Sequence, residues 1–297
     1  MDRRFSVKIK RKVGSTMLVN MKEMLADASK NGYAVGGFNC ASLESALGAI
    51  RASEELGIPF VLQHAGAHEQ FIPLSVAGPI MIQLARAAKT PVAVHLDHGD
   101  SVESCLKALA IGFTSVMFDG SSLPYEENMK ATAQVAKAAH ALGATVEAEL
   151  GSMPHNFRGE LKEYTPEDFY TKPEEAAEFV GNTGVDALAI SFGTVHGVYK
   201  TTPKLSFKVI EEVRKSTGEL PLVMHGGSGL SSDDYHEAIA KGIRKINYYT
   251  YGALAGGKSV YEIVKNTPEG LQFHDVAKAA TDAICEDVKK VMKLFKP

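Results

Sequence analysis

Cysteine is scarce in this 297-residue chain: Cys40, Cys105 and Cys285 are the only three, widely spaced and without a CxxC pair. An odd count with no paired motif excludes a disulfide framework and a thiolate zinc knuckle, leaving three buried or half-buried thiols as the expectation. No run approaches the roughly 18 consecutive apolar residues that a membrane span needs, and no apolar signal-peptide stretch follows the basic start. A cytoplasmic protein with no membrane partner is therefore expected. Residues 1–12 carry six basic side chains against Asp2, yet the rest of the chain has a net charge of −8 and no basic stripe, RNA-binding signature or helix-turn-helix. No nucleic-acid partner is expected. Residues 1–17 read as a solvated or disordered basic extension ahead of one domain at 18–297.

With 45% of its residues apolar, the chain has material for one sizeable core. Short β-rich runs at 34–38, 59–64, 91–96, 113–118, 144–150, 186–192, 220–224 and 243–248 alternate with amphipathic stretches, among them Leu43 to Leu56, Ser101 to Ile111, Asn128 to Leu142, Glu174 to Asn182, Phe207 to Ser216 and Ser232 to Lys241. The candidate strands read as apolar on both faces, which a parallel sheet covered by helices requires. Eight such units predict an α/β fold, a single-domain (β/α)8 TIM barrel. A doubly wound sheet is the alternative, but no GxGxxG follows a first strand. A helix near 20–30 is placed to cap the barrel bottom, and 275–295 forms the last helix.

The polar and glycine-rich clusters all fall at the C-terminal ends of the candidate strands, where barrels of this kind build their sites. Three of them, His95-Leu96-Asp97-His98-Gly99, Val195-His196-Gly197 and His225-Gly226-Gly227-Ser228-Gly229, set a histidine beside glycine after an apolar run. Imidazole suits zinc and related metals, and three protein ligands leave a position open for substrate. His98, His196 and His225 are thus candidate metal ligands. His64, His68, His140, His155, His236 and His274 read as ordinary hydrogen-bonded or surface histidines, and His95 stays open between ligand and partner of a ligand. Asp97 is the natural general acid/base, since a cation beside it keeps it ionised within reach of an oriented hydroxyl. Gly193, Gly197, Lys200, Gly226, Gly227, Ser228 and Gly229 form two glycine-rich turns suited to a phosphate.

On these residues, together with Tyr33 to Asn39, Ser115 to Ser121 and Val146 to Gly151, the chain resembles the class II, metal-dependent ketose-bisphosphate aldolases from about Met17 to about Thr250. The resemblance implies Zn2+ held by His98, His196 and His225, with another divalent metal as the alternative and a monovalent cation as a further ligand. It implies Asp97 as the proton-transfer residue, Glu149 as the carboxylate of a secondary metal position and Asp119 as a polar group supporting the ligands. Asn39, Gly197, Lys200, Gly226, Ser228, Asn247 and Thr250 would bind the substrate and its phosphate. The implied reaction is reversible aldol cleavage of a ketose phosphate, with fructose or tagatose 1,6-bisphosphate as default substrate, in a homodimer or homotetramer.

The chain departs from the family pattern in three places. The loop after Gly151 lacks the usual Gly-Gly-x-Glu-Asp, so Glu160 is the substitute for its proton-carrying glutamate. Tyr249 stands where a small or acidic residue is common, and Ala65 where a serine is. Arg244 is the last arginine, so the C-terminal arginine offered to a second phosphate is missing, and lysine does not reproduce its bidentate grip. A ketose 1-phosphate or modified sugar phosphate is the alternative substrate. Two other readings are metal-assisted hydrolysis, weakened by the lack of an HxH pair after the first strand, and a non-catalytic sugar-phosphate binder.

Overall fold

A computed structural model of the chain describes residues 16–151, 155–156, 169–199 and 202–296. Glu160, Lys200 and nearly all of the basic extension lie outside the described residues. Eight parallel strands, β1 (Val35–Asn39), β2 (Phe60–Ala65), β3 (Val92–Gly99), β4 (Ser115–Phe118), β5 (Thr145–Leu150), β6 (Ala187–Ile190), β7 (Leu222–Met224) and β8 (Ile243–Tyr248), close into a barrel in sequential order, with β8 pairing back onto β1. The barrel expectation holds. A two-residue pairing, His155–Asn156 with His196–Gly197, lies apart from the barrel sheet.

Around the barrel run α2 (Leu43–Leu56), α3 (Leu74–Ala87), α4 (Val102–Ile111), α5 (Tyr125–Ala141), α6 (Pro173–Thr183), α7 (Phe207–Ser216), α8 (Ser232–Lys241), α9 (Thr250–Lys265) and α10 (Phe273–Phe295), preceded by α1 (Met21–Asn31). Serine fixes several of their starts: Ser42, Ser101 and Ser231 each accept the amide hydrogen three residues on, and that residue's side chain returns the bond. None of the described helices is long and apolar enough to cross a membrane.

The period-2 alternation of the strands divides the buried residues into two sets. Outward-facing Leu62, Val94, Val116, Val146, Leu188, Met224 and Ile246 pack under the helices in the main core. Inward-facing Val35, Val61, Ala93, Ala187, Ala189 and Val223 form a second, smaller cluster with Met21, Met24, Leu25 and Ala28 of α1. The first helix therefore plugs the N-terminal mouth of the barrel, as expected. Asn20 caps it by accepting the Lys22 amide hydrogen, and Lys22 Nζ reaches Asp186 Oδ1 at 2.8 Å.

The upper half of the barrel interior corrects one expectation. Apolar on both faces describes the strands only in their lower half. Above it the inward positions are Gln63, His95, Asp97, Ser115, Glu147, Glu149, His225, Lys245 and Asn247, all buried. A polar interior of this size demands internal partners, because each unpaired buried group would be costly.

Candidate functional site

His98 reaches the centre of the barrel mouth through a backbone irregularity. Asp97 and His98 are neighbours on β3 and would face opposite sides of a regular strand. The register with β4 shifts between Leu96 and Gly99, and His98 has φ +48°, a left-handed conformation uncommon for a non-glycine residue. Both side chains consequently reach one site. The ring of His98 lies 4.6 Å from that of His225 and 5.1 Å from that of His196, centroid to centroid, and the three residues can bring ligand nitrogens within 4.8 Å of one another.

His98 on β3 and His225 just beyond β7 are each oriented by a carboxylate. His98 Nδ1 is 2.6 Å from Asp119 Oδ2, whose other oxygen accepts from the Ser121 hydroxyl at 2.7 Å. His225 Nε2 is 3.0 Å from Glu147 Oε1. The remaining nitrogens, His98 Nε2 and His225 Nδ1, are thereby left to face a ligand. Between His225 Nδ1 and Glu149 Oε2 the distance is 3.1 Å, yet the angles form no hydrogen bond, so two buried polar atoms confront each other unsatisfied. That orphaned pair beside three imidazoles is what a bound divalent cation would resolve; the donor set of three nitrogens and one carboxylate fits zinc.

Asp97, 2% exposed, accepts from Asn39 Nδ2 at 2.7 Å and from Asn247 Nδ2 at 2.9 Å. Burial works against its charge, but the positive fields of His98, His225 and Lys245 outweigh it and hold the carboxyl far below the usual range. The amides of Asn39 and Asn247 are thus spent on Asp97, with Gln63 Nε2 donating to Asn39 Oδ1 at 3.2 Å. Glu147 is likewise kept ionised, at a pKa of about 2, where burial is overcome chiefly by Lys245 at 2.9 Å. His95, bonded to Ser115 Oγ at 2.7 Å, is driven down to about 3 by burial and by Lys245, and remains neutral.

Opposite these groups, the β7–α8 turn and the start of α9 form a donor-rich wall. Gly226 has φ +64°, and a Cβ there would overlap the Val195 backbone, so only glycine fits. Tyr199 Oη donates to Gly226 O at 2.8 Å. Ser228 Oγ accepts the amide hydrogens of Tyr249 and Thr250 at 3.0 and 3.1 Å and keeps its own hydrogen to donate. Gly197, Gly226, Ser228, Asn247 and Thr250 all line the same cavity as Asp97, His98, Asp119 and His196. Sequence reasoning missed three contributors. Glu147 and Lys245 look like an acidic and a basic residue in ordinary strands, and His68 sits in a short helical turn (Gly66–His68) with no motif around it.

The fold and site together define a parallel (β/α)8 barrel with a histidine and carboxylate centre at its C-terminal mouth. Residues 19–297 match the family model described as "Fructose-bisphosphate aldolase class-II". A fructose-bisphosphate aldolase of Staphylococcus aureus (strain Mu50) is 41% identical over 284 residues, covering 94% of this chain and 97% of the relative. A probable fructose-bisphosphate aldolase of Bacillus subtilis (strain 168) is 42% identical over 281 residues with the same coverage. Among solved structures, the YdjI aldolase of Escherichia coli K12 superposes with a TM-score of 0.83 at 34% identity, covering 94% of this chain and 97% of that one. The chain belongs to the class II fructose-bisphosphate aldolase family, a zinc-dependent, glycolysis-related family of lyases.

Proposed function

We propose that the chain catalyses reversible aldol cleavage of a ketose phosphate to dihydroxyacetone phosphate and an aldehyde, at a zinc ion held by His98, His196 and His225 with Glu149 as a secondary ligand. The observation that carries the reading is the convergence of three imidazoles on a buried carboxylate, Asp97, that two amides hold in place. Bound zinc would supply Lewis acidity, polarising the ketose carbonyl and favouring negative charge on its oxygen. Asp97 accepts the proton of the C4 hydroxyl; as the C4–O–H electrons form the aldehyde carbonyl, the C3–C4 bond breaks and its pair passes toward the C2 carbonyl. Asn39 and Asn247 keep the Asp97 oxygens aimed. Glu160 returns a proton to C3, and Gly197, Gly226, Ser228 and Thr250, with Lys200, hold the phosphate. Asp119 fixes the His98 ring.

The family default is fructose or tagatose 1,6-bisphosphate. A ketose 1-phosphate is the second reading, favoured by the absence of Lys and Arg from the described cavity lining. The working unit we infer is the barrel of 18–297, cytoplasmic and homo-oligomeric, with 1–17 as a basic extension. Asp97→Ala tests the assignment. Zinc content should be unchanged while triose-phosphate release falls at least about a hundredfold, the scale of a lost general base. Wild-type turnover in that variant would refute the role of Asp97.

A further inference from the structure

The cavity at the barrel mouth, about 910 Å³, is chemically asymmetric. One side is the donor-rich wall of Gly226, Ser228 and Thr250. Between the end of β2 and the start of α9 lies a recess formed by Ala65, Ala67, His68, Phe71, Tyr249 and Leu254. Among the described residues that line the cavity there is no lysine or arginine. The amide of Gln70 donates to Ala67 O at 3.1 Å, and Arg244 is buried with its guanidinium on Ile239 O and Ile243 O, 2.7 Å each. Among the described residues, a phosphate dianion entering this recess would leave water without meeting a lysine or arginine.

What the recess offers instead is rings and neutral polar groups. The His68 and Tyr249 rings lie 4.7 Å apart, and Phe71 flanks His68 at 6.4 Å. His68 is 5% exposed, and its Nδ1 has no hydrogen-bond partner. Burial, with His64 adding to it, holds the imidazole down at about 4, so at neutral pH it has one donor and one acceptor nitrogen and no charge. Such a group matches a hydroxyl and does nothing to neutralise a phosphate.

Resting on the aldolase reading, we propose that the His68–Tyr249 recess is the subsite for the aldehyde half of the substrate, and that it takes an unphosphorylated polyhydroxy chain. His68 hydrogen-bonds a hydroxyl of that chain, and its C–H face lies on the Tyr249 and Phe71 rings. The substrate class is then a ketose 1-phosphate with an uncharged distal end.

The zinc-loaded full chain is assayed for triose-phosphate release from fructose 1-phosphate and tagatose 1-phosphate and from the two 1,6-bisphosphates. Higher kcat/KM on the monophosphates, by about tenfold or more, is expected, as for one uncompensated buried charge contact. In the condensation direction, His68→Ala should slow addition of dihydroxyacetone phosphate to glyceraldehyde about tenfold more than addition to propanal, with His68→Gln restoring part of the difference. A tenfold preference for the bisphosphates, or equal losses on both aldehydes, overturns the proposal. No cleavage or condensation of any substrate would refute the aldolase reading, and calorimetric binding to the same zinc-loaded chain then decides the recess alone. Tighter binding of fructose 1-phosphate than of the bisphosphate supports it, and equal or weaker binding overturns it.

Discussion

Lys245 and Glu147 are both 0% exposed and form an ion pair beneath the site, 2.9 Å from nitrogen to oxygen. Burying two charges is worthwhile only where other groups use them, since a desolvated pair by itself is rarely stabilising. Here the second Glu147 oxygen holds His225 Nε2, so the lysine fixes the carboxylate and the carboxylate fixes the imidazole. Glu147→Gln keeps the shape but leaves Lys245 without its counter-charge. It should cost about 3 kcal/mol of stability and weaken zinc binding about 10- to 100-fold, read by denaturant titration and by competition with a chromophoric chelator. Unchanged zinc affinity would mean that packing alone orients His225. Motif spacing singled out His98, His196, His225 and Asp97, which the fold brings together, because histidine next to glycine at a strand end is rare enough to stand out. Glu147, Lys245 and His68 were not legible. Their meaning comes from neighbours on other strands, and no spacing along one strand encodes a cross-barrel contact.

Asp186, at the entry to β6, joins three elements that the sequence order keeps apart. Its Oδ1 accepts from Lys22 of α1 at 2.8 Å, and its Oδ2 accepts from His140 of α5 and from the Val146 amide of β5, both at 2.9 Å. Partial burial raises its pKa, but the bonds from Lys22, Val146 and His140 lower it further, so the net shift is downward. A carboxyl with a depressed folded-state pKa stabilises the protein above its unfolded pKa of about 3.9, and that contribution is lost as pH falls through the folded value. Asp186→Asn should therefore destabilise by about 1.5–3 kcal/mol at pH 7, and the difference should shrink below about pH 4. A constant difference from pH 7 to pH 3 in urea titrations would rule out the charged bonds as its source. At this scale the sequence was informative. α2, α7 and α8 match their expected limits because apolar periodicity marks all three and serine caps, Ser42 and Ser231, fix the starts of α2 and α8. α3 and α9 were not among the helices read from the sequence. α3 contains Pro79, and α9 carries Gly252, Gly256 and Gly257, residues that argue against a helix locally. Tertiary packing overrides the propensity: a Cβ on Gly256 would stand 3.0 Å from Ile284 Cδ1, so the glycine lets α9 close onto α10.

At the scale of the molecule, an apolar shell surrounds a barrel interior that is apolar in its lower half and polar in its upper half. Apolar burial is concentrated under the helices and at the α1 plug, while the upper barrel concentrates Asp97, Glu147, Glu149 and Asp119, balanced among the described residues by Lys245 and histidines. A divalent cation held by His98, His196 and His225, as proposed above, would link β3, the segment after β6 and β7, which are spread around half of the barrel. It would do so in the folded state alone, because these residues are far apart in sequence and the unfolded chain does not gather them. Its effect on stability then follows from mass action, about 4 kcal/mol when free zinc is 1,000 times its dissociation constant. For a domain of this size that corresponds to a rise in Tm on the order of 8–16 °C. Scanning calorimetry of the chelator-treated chain, with and without added zinc, should show that shift together with recovery of triose-phosphate release. The variant His98→Ala/His225→Ala should show neither. A zinc-dependent shift of full size in that variant would place the stabilising metal elsewhere, and activity that survives exhaustive chelation would remove the metal from the reaction.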